Sequence, residues 1–347
     1  MSSLRSICLL RLSAIGDTCN AAAVVYAIRK HYPDAEITWV IGKAEAALMA
    51  GMKGVNFVVF DKKQGLAAYR NLRHQLKGKR FDALLVMQVA LRANLASLCI
   101  SADRRIGYDR SKSKELHSLF INERIEPTDK PHVLDNFRQF QKALDIPLGP
   151  PAWRIPVTAE DNLWAKTQLD PTKNKHLVIT PSASNLERNW LADRYAAVAD
   201  YAISLGFAVY LCGGPSEHEQ ALAEKIQEHA DQPLKNLVGR SNLKQLFALL
   251  GAADLVIAPD TGPAHMATAA GTPVIGLYAH SNPKRTGPYL WQRYVVDAYT
   301  PALQELRGET PEESSWGQRL KGRELMQNIT TEQVTSMLIR CVQEQNL

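Results

Sequence analysis

The sequence predicts an α/β protein that contains two domains of the same kind, each built on a parallel sheet. Short apolar strands alternate with longer helical segments along most of the chain, which is the pattern of repeated strand, helix and strand units. The strands are apolar at almost every position, as expected when helices cover both faces of a sheet. A proline-rich stretch at 147–157 interrupts the alternation, and 347 residues are more than one hydrophobic core usually requires.

In the first domain, residues 4–12 are predicted to form a strand because they are rich in leucine and isoleucine. The helix that follows ends at Pro33, because proline cannot continue a helix. We assign residues 1–150 to this domain. Its further predicted elements are strands at 36–42, 55–60 and 81–88 and a helix at 66–76.

The second domain repeats this alternation, and we assign residues 151–329 to it. The remaining segment, 330–347, is predicted to be a helix, because Thr330 and Gln333 have the spacing of a capping box. The predicted strands of the second domain are 176–181, 207–214, 236–239, 253–260 and 273–278, and its predicted helices are 192–206, 216–230, 242–251 and 262–271.

Composition argues against several functional classes. The chain is 46% hydrophobic and 22% charged, as in ordinary globular proteins. It has no apolar run of roughly 18 to 20 residues and no signal peptide, so we expect a cytoplasmic protein. The five cysteines lack CxxC spacing, which favours buried free thiols over disulfides or a metal site. The sequence also lacks an acidic metal cluster, so we expect no metal cofactor.

The charge of the chain is unevenly distributed. Residues 1–150 contain 23 Lys and Arg against 14 Asp and Glu, a formal charge of +9, so the remainder carries −3 of the total of +6. This asymmetry suggests that the first domain binds an anionic partner, although a merely solvated surface explains any single charge run equally well. Recognisable DNA- or RNA-binding motifs are absent from the sequence, so we do not expect nucleic acid to be the partner.

The turn after the strand at 253–260 has the features of an anion site. Asp260 ends the strand, Gly262 leaves room for a ligand, and Pro263 suits the first helical turn because its missing N–H would have no partner there. The free N–H groups and the helix dipole favour a phosphate. The alternative, which spacing alone does not exclude, is that Asp260 caps the helix and His265 fills a small polar gap.

Two further loops of the second domain carry phosphate- or sugar-binding side chains. Ser182 and Ser184 can donate to phosphate oxygens, and Arg188 provides a permanently charged, forked donor. After the strand at 207–214, Glu217 could accept hydrogen bonds from a ribose diol. The alternatives are turn serines, a surface ion pair for Arg188 and a helix-capping role for Glu217.

In the first domain, the loop after the first strand contains Ser13, Gly16 and Asp17. Asp17 begins the next helix, so its carboxylate could accept a proton from a hydroxyl nucleophile or could simply cap the helix. The loop matches neither the phosphate-binding GxxxxGK[ST] pattern nor GxGxxG, which argues against a dinucleotide oxidoreductase.

Three of these loops together resemble the ADP-heptose:lipopolysaccharide heptosyltransferases of glycosyltransferase family 9. The chain has SxxGD at 13–17, a basic residue just before a tryptophan at 188–190, and DTGPAH at 260–265. The resemblance extends over most of the chain. It implies a GT-B fold, in which two Rossmann-like domains face each other across a cleft and the last helix packs back on the first domain.

The resemblance also implies roles for individual residues. Asp17 corresponds to the general base of an inverting transfer without a metal, and Ser13 and Gly16 lie beside it on the acceptor side. Departures from the family pattern are Ala183, where a second hydroxyl residue is common, and Arg188, where lysine is common. The implied donor-binding residues are Ser182, Ser184, Arg188, Glu217, Asp260, Thr261, Gly262 and His265.

In this family the acceptor is the lipid A-linked inner core of lipopolysaccharide, built on 3-deoxy-octulosonic acid. The implied partners are therefore ADP-heptose as co-substrate, this anionic acceptor and the cytoplasmic face of the inner membrane. A first heptose addition fits the arginine-rich first domain better than a later one. The alternatives are a transferase for a different nucleotide sugar and a non-catalytic nucleotide-binding protein. The basic residues that we assign to the acceptor are Lys62, Lys63, Arg92, Arg104 and Arg105.

Overall fold

The structure, a computed structural model, describes residues 4–347, apart from the side chain of residue 323. The chain divides into two compact units, Met1–Pro156 and Val157–Leu347. The division lies in the proline-rich stretch, a few residues beyond the boundary that we assigned at residue 150. The described part of the chain contains no helix with the length and apolar character needed to cross a bilayer.

The first unit is a six-stranded sheet with helices. The order of the strands is β3-β2-β1-β4-β5-β6, and every pairing is parallel. The strands are β1 (Ser6–Arg11), β2 (Glu36–Gly42), β3 (Val55–Phe60), β4 (Phe81–Val86), β5 (Ala102–Gly107) and β6 (Glu123–Arg124), and the helices are α1 (Ile15–His31), α2 (Lys43–Met49), α3 (Leu66–Gln75), α4 (Leu91–Ser97) and α5 (Val133–Ala143).

The second unit has the same construction. Its sheet has the order β12-β11-β10-β7-β8-β9, again with parallel pairings. The strands are β7 (Lys175–Ile179), β8 (Phe207–Leu211), β9 (Lys235–Asn236), β10 (Leu255–Pro259), β11 (Val274–Tyr278) and β12 (Val295–Asp297), and the helices are α6 (Ala159–Gln168), α7 (Ala192–Ser204), α8 (Glu217–His229), α9 (Leu243–Ala252), α10 (Gly262–Ala270), α11 (Pro283–Thr286), α12 (Tyr299–Arg307) and α13 (Thr331–Gln345).

Both sheets follow the Rossmann order, which confirms the predicted α/β class. When the strands of each unit are numbered from its own first strand, both sheets read 3-2-1-4-5-6. The direction of winding reverses between β1 and β4 in the first unit and between β7 and β10 in the second. Because ligands of such sheets bind beyond the carboxyl ends of the strands at this point, the loops after these four strands are the expected ligand-binding loops.

The central strands are buried on both faces, as their composition predicted. Residues 7–10 of β1 have no exposed surface, and Leu9 is paired with Trp39 of β2 and Leu85 of β4. Residues 255–258 of β10 are buried to the same degree. These strands are held on both sides by neighbours, so the loops at their ends start from fixed points.

The last helix corrects an expectation from the family resemblance. We expected residues 330–347 to pack on the first domain, but Val334, Leu338 and Cys341 of α13 belong to the hydrophobic core of the second unit. The predicted capping box is present, since Thr330 Oγ1 accepts from Gln333 N–H and Gln333 Oε1 accepts from Thr330 N–H. The reason for this packing is the apolar stripe of α13, which contacts α7, β11 and β12.

The segment before α13 is fastened to the start of α7. Trp190 is buried, and its indole Nε1–H donates to the carbonyl oxygen of Ile329 at 3.0 Å. Arg194 donates to the carbonyl oxygen of Gln327 at 2.6 Å and to that of Ile329. These bonds fix the residues that immediately follow Arg188 in the chain.

Candidate functional site

The loop after β10 presents the uncapped start of a helix. Asp260 follows the strand, Thr261 occupies the N-cap position of α10, and its side chain makes no capping hydrogen bond. Pro263 lies in the first turn, as predicted. The N–H groups of this turn are therefore not satisfied by a capping side chain, and the helix dipole adds a partial positive charge. A phosphate group would satisfy both.

Arg188 lies against this loop. Its Nη1 is 3.3 Å from Asp260 Oδ2 and 3.1 Å from the Asp260 carbonyl oxygen, and both side chains are largely buried. Ser281 Oγ donates to the same Asp260 Oδ2 at 2.5 Å. Asp260 is thus the centre of a buried polar cluster and does not cap α10. The ion pair holds the guanidinium at the loop after β10, where its remaining N–H groups can contact a ligand.

Several buried polar atoms of these loops lack a hydrogen-bond partner in the described structure. They are Ser182 Oγ, Thr261 Oγ1 and Arg188 Nε. Buried polar groups are normally paired, so a cluster of unpaired ones indicates a missing ligand or water. Two hydroxyls and a guanidinium N–H are donors, and an anion with several oxygens is the ligand that suits them.

The remaining predicted donor residues are in less specific positions. His265 is half-buried one turn into α10, and Ser184 is exposed beside Ala183, whose N–H donates to Asn189 Oδ1 at 2.7 Å. Glu217 is exposed at the first position of α8. The carboxylate that closes the glycine turn after β8 belongs to Glu219, which accepts from Gly214 N–H at 2.6 Å and from Ser216 Oγ at 2.8 Å. Glu217 is therefore not needed for that turn.

The first unit contains a cavity of about 580 Å³ at the carboxyl ends of its strands. The loops after β1 and β4 meet there, where Leu12 N–H donates to Gln88 Oε1 at 2.9 Å. Four of the predicted acceptor-binding residues line the cavity. They are Ser13, Lys62, Lys63 and Arg92, and the lining also includes Gly42, Glu45 and Glu115.

Asp17 lies outside this lining, on the first turn of α1 beyond Ser13. Its carboxylate is paired with the guanidinium of Arg11, and its side chain is about one-third exposed, with 35% of its surface accessible. Arg11 is itself held by the carbonyl oxygen of Met87, to which it donates at 2.6 Å, and its guanidinium lies 5.3 Å from the centre of the Phe137 ring. The Asp17 carboxylate is thus oriented by a fixed cation and remains accessible. Gly16 is buried next to it.

Comparison with known proteins decides the family. The model for glycosyltransferase family 9 (heptosyltransferase) matches residues 69–315. The lipopolysaccharide core heptosyltransferase OpsX of Haemophilus influenzae is 42% identical over 334 residues, which cover 96% of each chain. The chain belongs to glycosyltransferase family 9. The family resemblance that we inferred from the three loops is confirmed.

Solved structures of family 9 share the fold of this heptosyltransferase. A family 9 protein from Veillonella parvula has a TM-score of 0.80 at 20% identity and covers 98% of this chain and 97% of its own. The Escherichia coli heptosyltransferase WaaC with ADP has a TM-score of 0.73 at 17% identity and covers 97% and 99%. At these identities the likeness concerns the fold alone.

Two basic residues that we assigned to the acceptor have structural roles in the heptosyltransferase instead. Arg105 donates to the carbonyl oxygens of Phe120, Ile100 and Ser97, all at 2.9 Å, so all three of its guanidinium nitrogens bond within the unit. Arg104 forms an ion pair with Glu123 at 2.7 Å. Both lie within β5, and their side chains bond to neighbouring segments of the unit. Neither residue lines the cavity, so the structure does not support their assignment to acceptor binding.

Glu45 is a residue of the heptosyltransferase cavity that the sequence pattern did not indicate. It lies in α2 and is only 8% exposed, and burial raises the pKa of its carboxyl above the usual value, while the charges of Lys62 and Arg11 partly lower it. Gly42 makes this position possible, because a Cβ there would collide with Glu45 Oε2 and with the Leu12 carbonyl oxygen. The cavity lining therefore contains an acidic side chain, Glu45, together with the lysines.

In residues 4–347 the structure contains no group of three or more His, Cys, Asp or Glu side chains that could hold a metal ion. The five cysteines are free thiols, as predicted, and four of them are buried. Burial raises the pKa of the Cys212 thiol to about 12. These thiols are consequently protonated at neutral pH and make poor nucleophiles or metal ligands.

Proposed function

We propose that this heptosyltransferase moves heptose from ADP-L-glycero-D-manno-heptose, with inversion, to a 3-deoxy-octulosonic acid residue of the lipid A-linked inner core. The observation that supports the donor most directly is the set of unpaired donors formed by Ser182, Thr261 and Arg188 around the start of α10. The 42% identical relative is named a lipopolysaccharide core heptosyltransferase, which supports an acceptor in the inner core.

In this proposal the second unit binds the donor through its diphosphate. The N–H groups at the start of α10, the hydroxyls of Ser182 and Ser184, and Arg188 hold the phosphate oxygens, and the exposed Glu217 accepts from the ribose diol. Asp260 and His265 lie toward the heptose. As the bond between the anomeric carbon and the diphosphate breaks, negative charge builds up on ADP. Donors already aimed at that charge stabilise the transition state more than the ground state.

Asp17 acts as general base. Its carboxylate takes the proton from an acceptor hydroxyl, that oxygen attacks the anomeric carbon from the face opposite ADP, and ADP leaves. Arg11 keeps the carboxylate in one orientation. Since Arg188 and the helix start neutralise the leaving group, we propose that the transfer needs no metal.

The acceptor binds to the first unit, where Lys62, Lys63 and Arg92 contact its carboxylates and phosphates. Such an acceptor is part of a lipid, so we propose that the protein works in the cytoplasm, attached peripherally to the inner face of the inner membrane. Clustered cations near an anionic bilayer contribute about 1 kcal/mol each to such attachment.

The test is turnover of ADP-heptose with octulosonate-lipid A, followed by mass spectrometry in the presence of EDTA. Asp17→Asn should lower kcat by roughly 100-fold or more, because a general base is lost, while ADP-heptose binding stays within about twofold. The control is Asp34→Asn, which removes an exposed carboxylate just after α1 and should not change kcat.

Unchanged turnover by Asp17→Asn would remove Asp17 from the role. Activity that appears only after a divalent metal is added would contradict metal independence. Turnover of another nucleotide sugar in place of ADP-heptose would replace the proposed donor, and a wild-type protein that binds ADP-heptose but transfers nothing to any octulosonate acceptor would indicate a non-catalytic binding protein.

A further inference from the structure

A group of exposed leucines begins at the cavity in the first unit, whose lining includes Leu91, and continues along the neighbouring segments. Each of them belongs to a segment that follows the carboxyl end of β3, β4 or β5, which is the edge of the sheet where the cavity lies. Their exposed fractions range from 41% to 81%, whereas leucines of the sheet itself are fully buried. We call these residues the leucine rim: Leu66, Leu91, Leu95, Leu98, Leu116 and Leu119.

On α4 the leucines face outward. Leu91, Leu95 and Leu98 follow the i, i+4, i+7 spacing that places side chains on one helical face, and all three are exposed. The buried residues of the helix are smaller or polar, namely Ala93, Asn94, Ala96 and Ser97. The largest apolar side chains of α4 are thus the exposed ones, whereas a surface helix normally buries them. Exposed apolar patches of this kind mark interaction surfaces.

The segment 109–119 is fastened to the same helix. The Glu115 carboxylate accepts from Leu91 N–H, Asn94 Nδ2 donates to the Glu115 carbonyl oxygen at 3.1 Å, and His117 Nδ1 lies 2.7 Å from Asn94 Oδ1. These bonds hold Leu116 and Leu119 next to α4. Leu116 has a φ of 61°, which costs a non-glycine residue about 1 kcal/mol or more. The chain thus adopts an unfavourable conformation where it presents an exposed leucine.

Exposed cations belong to the same chain segments as the leucine rim. In the described part of the chain, none of them lies within ion-pair distance of a carboxylate. The acids nearby have other partners, since Asp61 accepts from Lys63 N–H at 3.0 Å and Glu115 accepts from Leu91 N–H. The cations are Lys62, Lys63, Arg92, Arg110 and Lys114.

We propose that the leucine rim and these five cations dock on the surface of an anionic phospholipid bilayer. The leucines enter the boundary between headgroups and acyl chains, and the cations contact lipid phosphates, as in other interfacial segments. The cavity mouth then opens at the membrane surface, where a lipid-linked acceptor would be presented. This last step rests on the proposed function, whereas the docking surface itself does not.

A protein partner fits this surface less well. Lysine is depleted in the cores of protein interfaces, yet here Lys62, Lys63 and Lys114 are exposed on the same segments as the leucines. An anionic bilayer satisfies lysines and leucines at once, because phosphates and acyl chains lie within one side-chain length of each other.

The experiment is flotation of the full chain with vesicles of phosphatidylethanolamine and phosphatidylglycerol. The test variant is the triple substitution Leu95→Ser, Leu98→Ser and Leu119→Ser, which leaves the residues that line the cavity intact. The matched control replaces three exposed leucines of the second unit, Leu163, Leu290 and Leu306, by serine. We expect the test variant to bind the vesicles at least roughly tenfold more weakly than wild type, and the control to bind like wild type.

Measurements of turnover with two forms of the acceptor distinguish the docking proposal from the proposed function. With an octulosonate acceptor that lacks acyl chains, the test variant should equal wild type, and with the acceptor in vesicles it should be slower. If wild type does not float, if the two triple variants lose binding equally, or if the test variant only abolishes self-association, the docking proposal is overturned. If wild type floats and the test variant does not, but neither uses any acceptor, the proposed function fails and the docking surface stands.

Discussion

At the scale of single residues, two carboxylates of the first unit lie in opposite environments. Asp17 is paired with Arg11 and is accessible, whereas Glu45 is buried in α2, where burial raises its pKa. Asp17 could be singled out from the sequence because SxxGD follows a strand. Glu45 could not, because its position depends on the empty space above Gly42, which is a property of the folded loop.

Arg104 and Arg105 illustrate the opposite error, because the sequence indicated them as ligand-binding residues and the structure shows them bonded within the unit. In a sequence, a cation that binds a ligand and a cation that binds three carbonyl oxygens look alike. Only the structure shows that the Arg105 guanidinium donates to the carbonyl oxygens of Phe120, Ile100 and Ser97. It also shows that Lys62 and Arg92 line the cavity. Of the basic residues assigned to the acceptor, those that follow the carboxyl ends of β3 and β4 line the cavity, and those within β5 do not.

The raised pKa of Glu45 predicts a pH-dependent stability difference. Because the folded protein holds this proton at a higher pH than the unfolded chain does, wild type loses stability as the pH rises through the folded pKa. Glu45→Gln has no such loss, so its Tm should exceed that of wild type by about 2 °C at pH 7.5. The gap should shrink as the pH falls toward the usual glutamate value. Calorimetry from pH 5 to 8 measures it, with the exposed Glu126→Gln as control, and a gap independent of pH would contradict the expectation.

At the scale of elements, the sequence pattern identified the central strands and missed β5, β6 and β12, which lie at or next to a sheet edge. The central strands β1, β4, β7 and β10 were predicted because burial on both faces demands apolar residues. β5 was missed, since it contains Asp103, Arg104 and Arg105, whose side chains bond to other segments of the unit. The strands next to the winding reversal are the most apolar, and the loops after them form the candidate sites. The sites could therefore be found from the sequence even though the predicted sheets lacked some of their strands.

His117 supplies a test of how the segment 109–119 is held. Its Nε2 accepts from Tyr108 N–H at 3.1 Å, so Nδ1 carries the proton and donates to Asn94 Oδ1. Burial, with a smaller effect of Arg124, lowers the pKa of His117 to about 4. The unfolded chain therefore binds more protons between pH 6.5 and 4, and the stability from this neutral histidine is lost as the pH falls through that range.

We expect His117→Ala to lower the free energy of unfolding by about 2 to 3 kcal/mol at pH 7.5, because it leaves buried polar partners unpaired. The difference in the free energy of unfolding between variant and wild type should narrow at pH 5. At that pH the unfolded wild-type chain binds a proton at His117 that the folded protein does not bind, and this destabilises wild type. Urea unfolding at both pH values measures the change. A difference that is as large at pH 5 as at pH 7.5 would show that the histidine acts only by filling space.

At the scale of the whole molecule, the two units share a strand order but not a charge. Residues 1–150 carry +9 and the rest −3, and this partition follows from the amino-acid sequence alone. The division into two units was also predictable from the proline-rich stretch. The position of the last helix was not, because an amphipathic helix indicates that one face is buried and does not indicate which surface buries it.

This charge partition predicts that salt affects the two substrates differently. The cations of the first unit's cavity are exposed, so added salt screens them, whereas Arg188 is largely buried beside Asp260 and is screened less. Raising NaCl from about 50 to about 300 mM should increase the KM for octulosonate-lipid A in neutral detergent several-fold and change the KM for ADP-heptose by less than about twofold. Equal changes in both constants would contradict this assignment of the binding surfaces.

The bonds from Trp190 and Arg194 to residues 327 and 329 have a consequence for shortened forms of the protein. Trp190 stands two positions after Arg188, and its partner Ile329 stands immediately before the cap of the final helix. The segment before the final helix thereby braces the arginine that we assign to the nucleotide. Deletions that unravel this helix are therefore expected to weaken nucleotide binding, even though they remove no residue that we assign to the nucleotide.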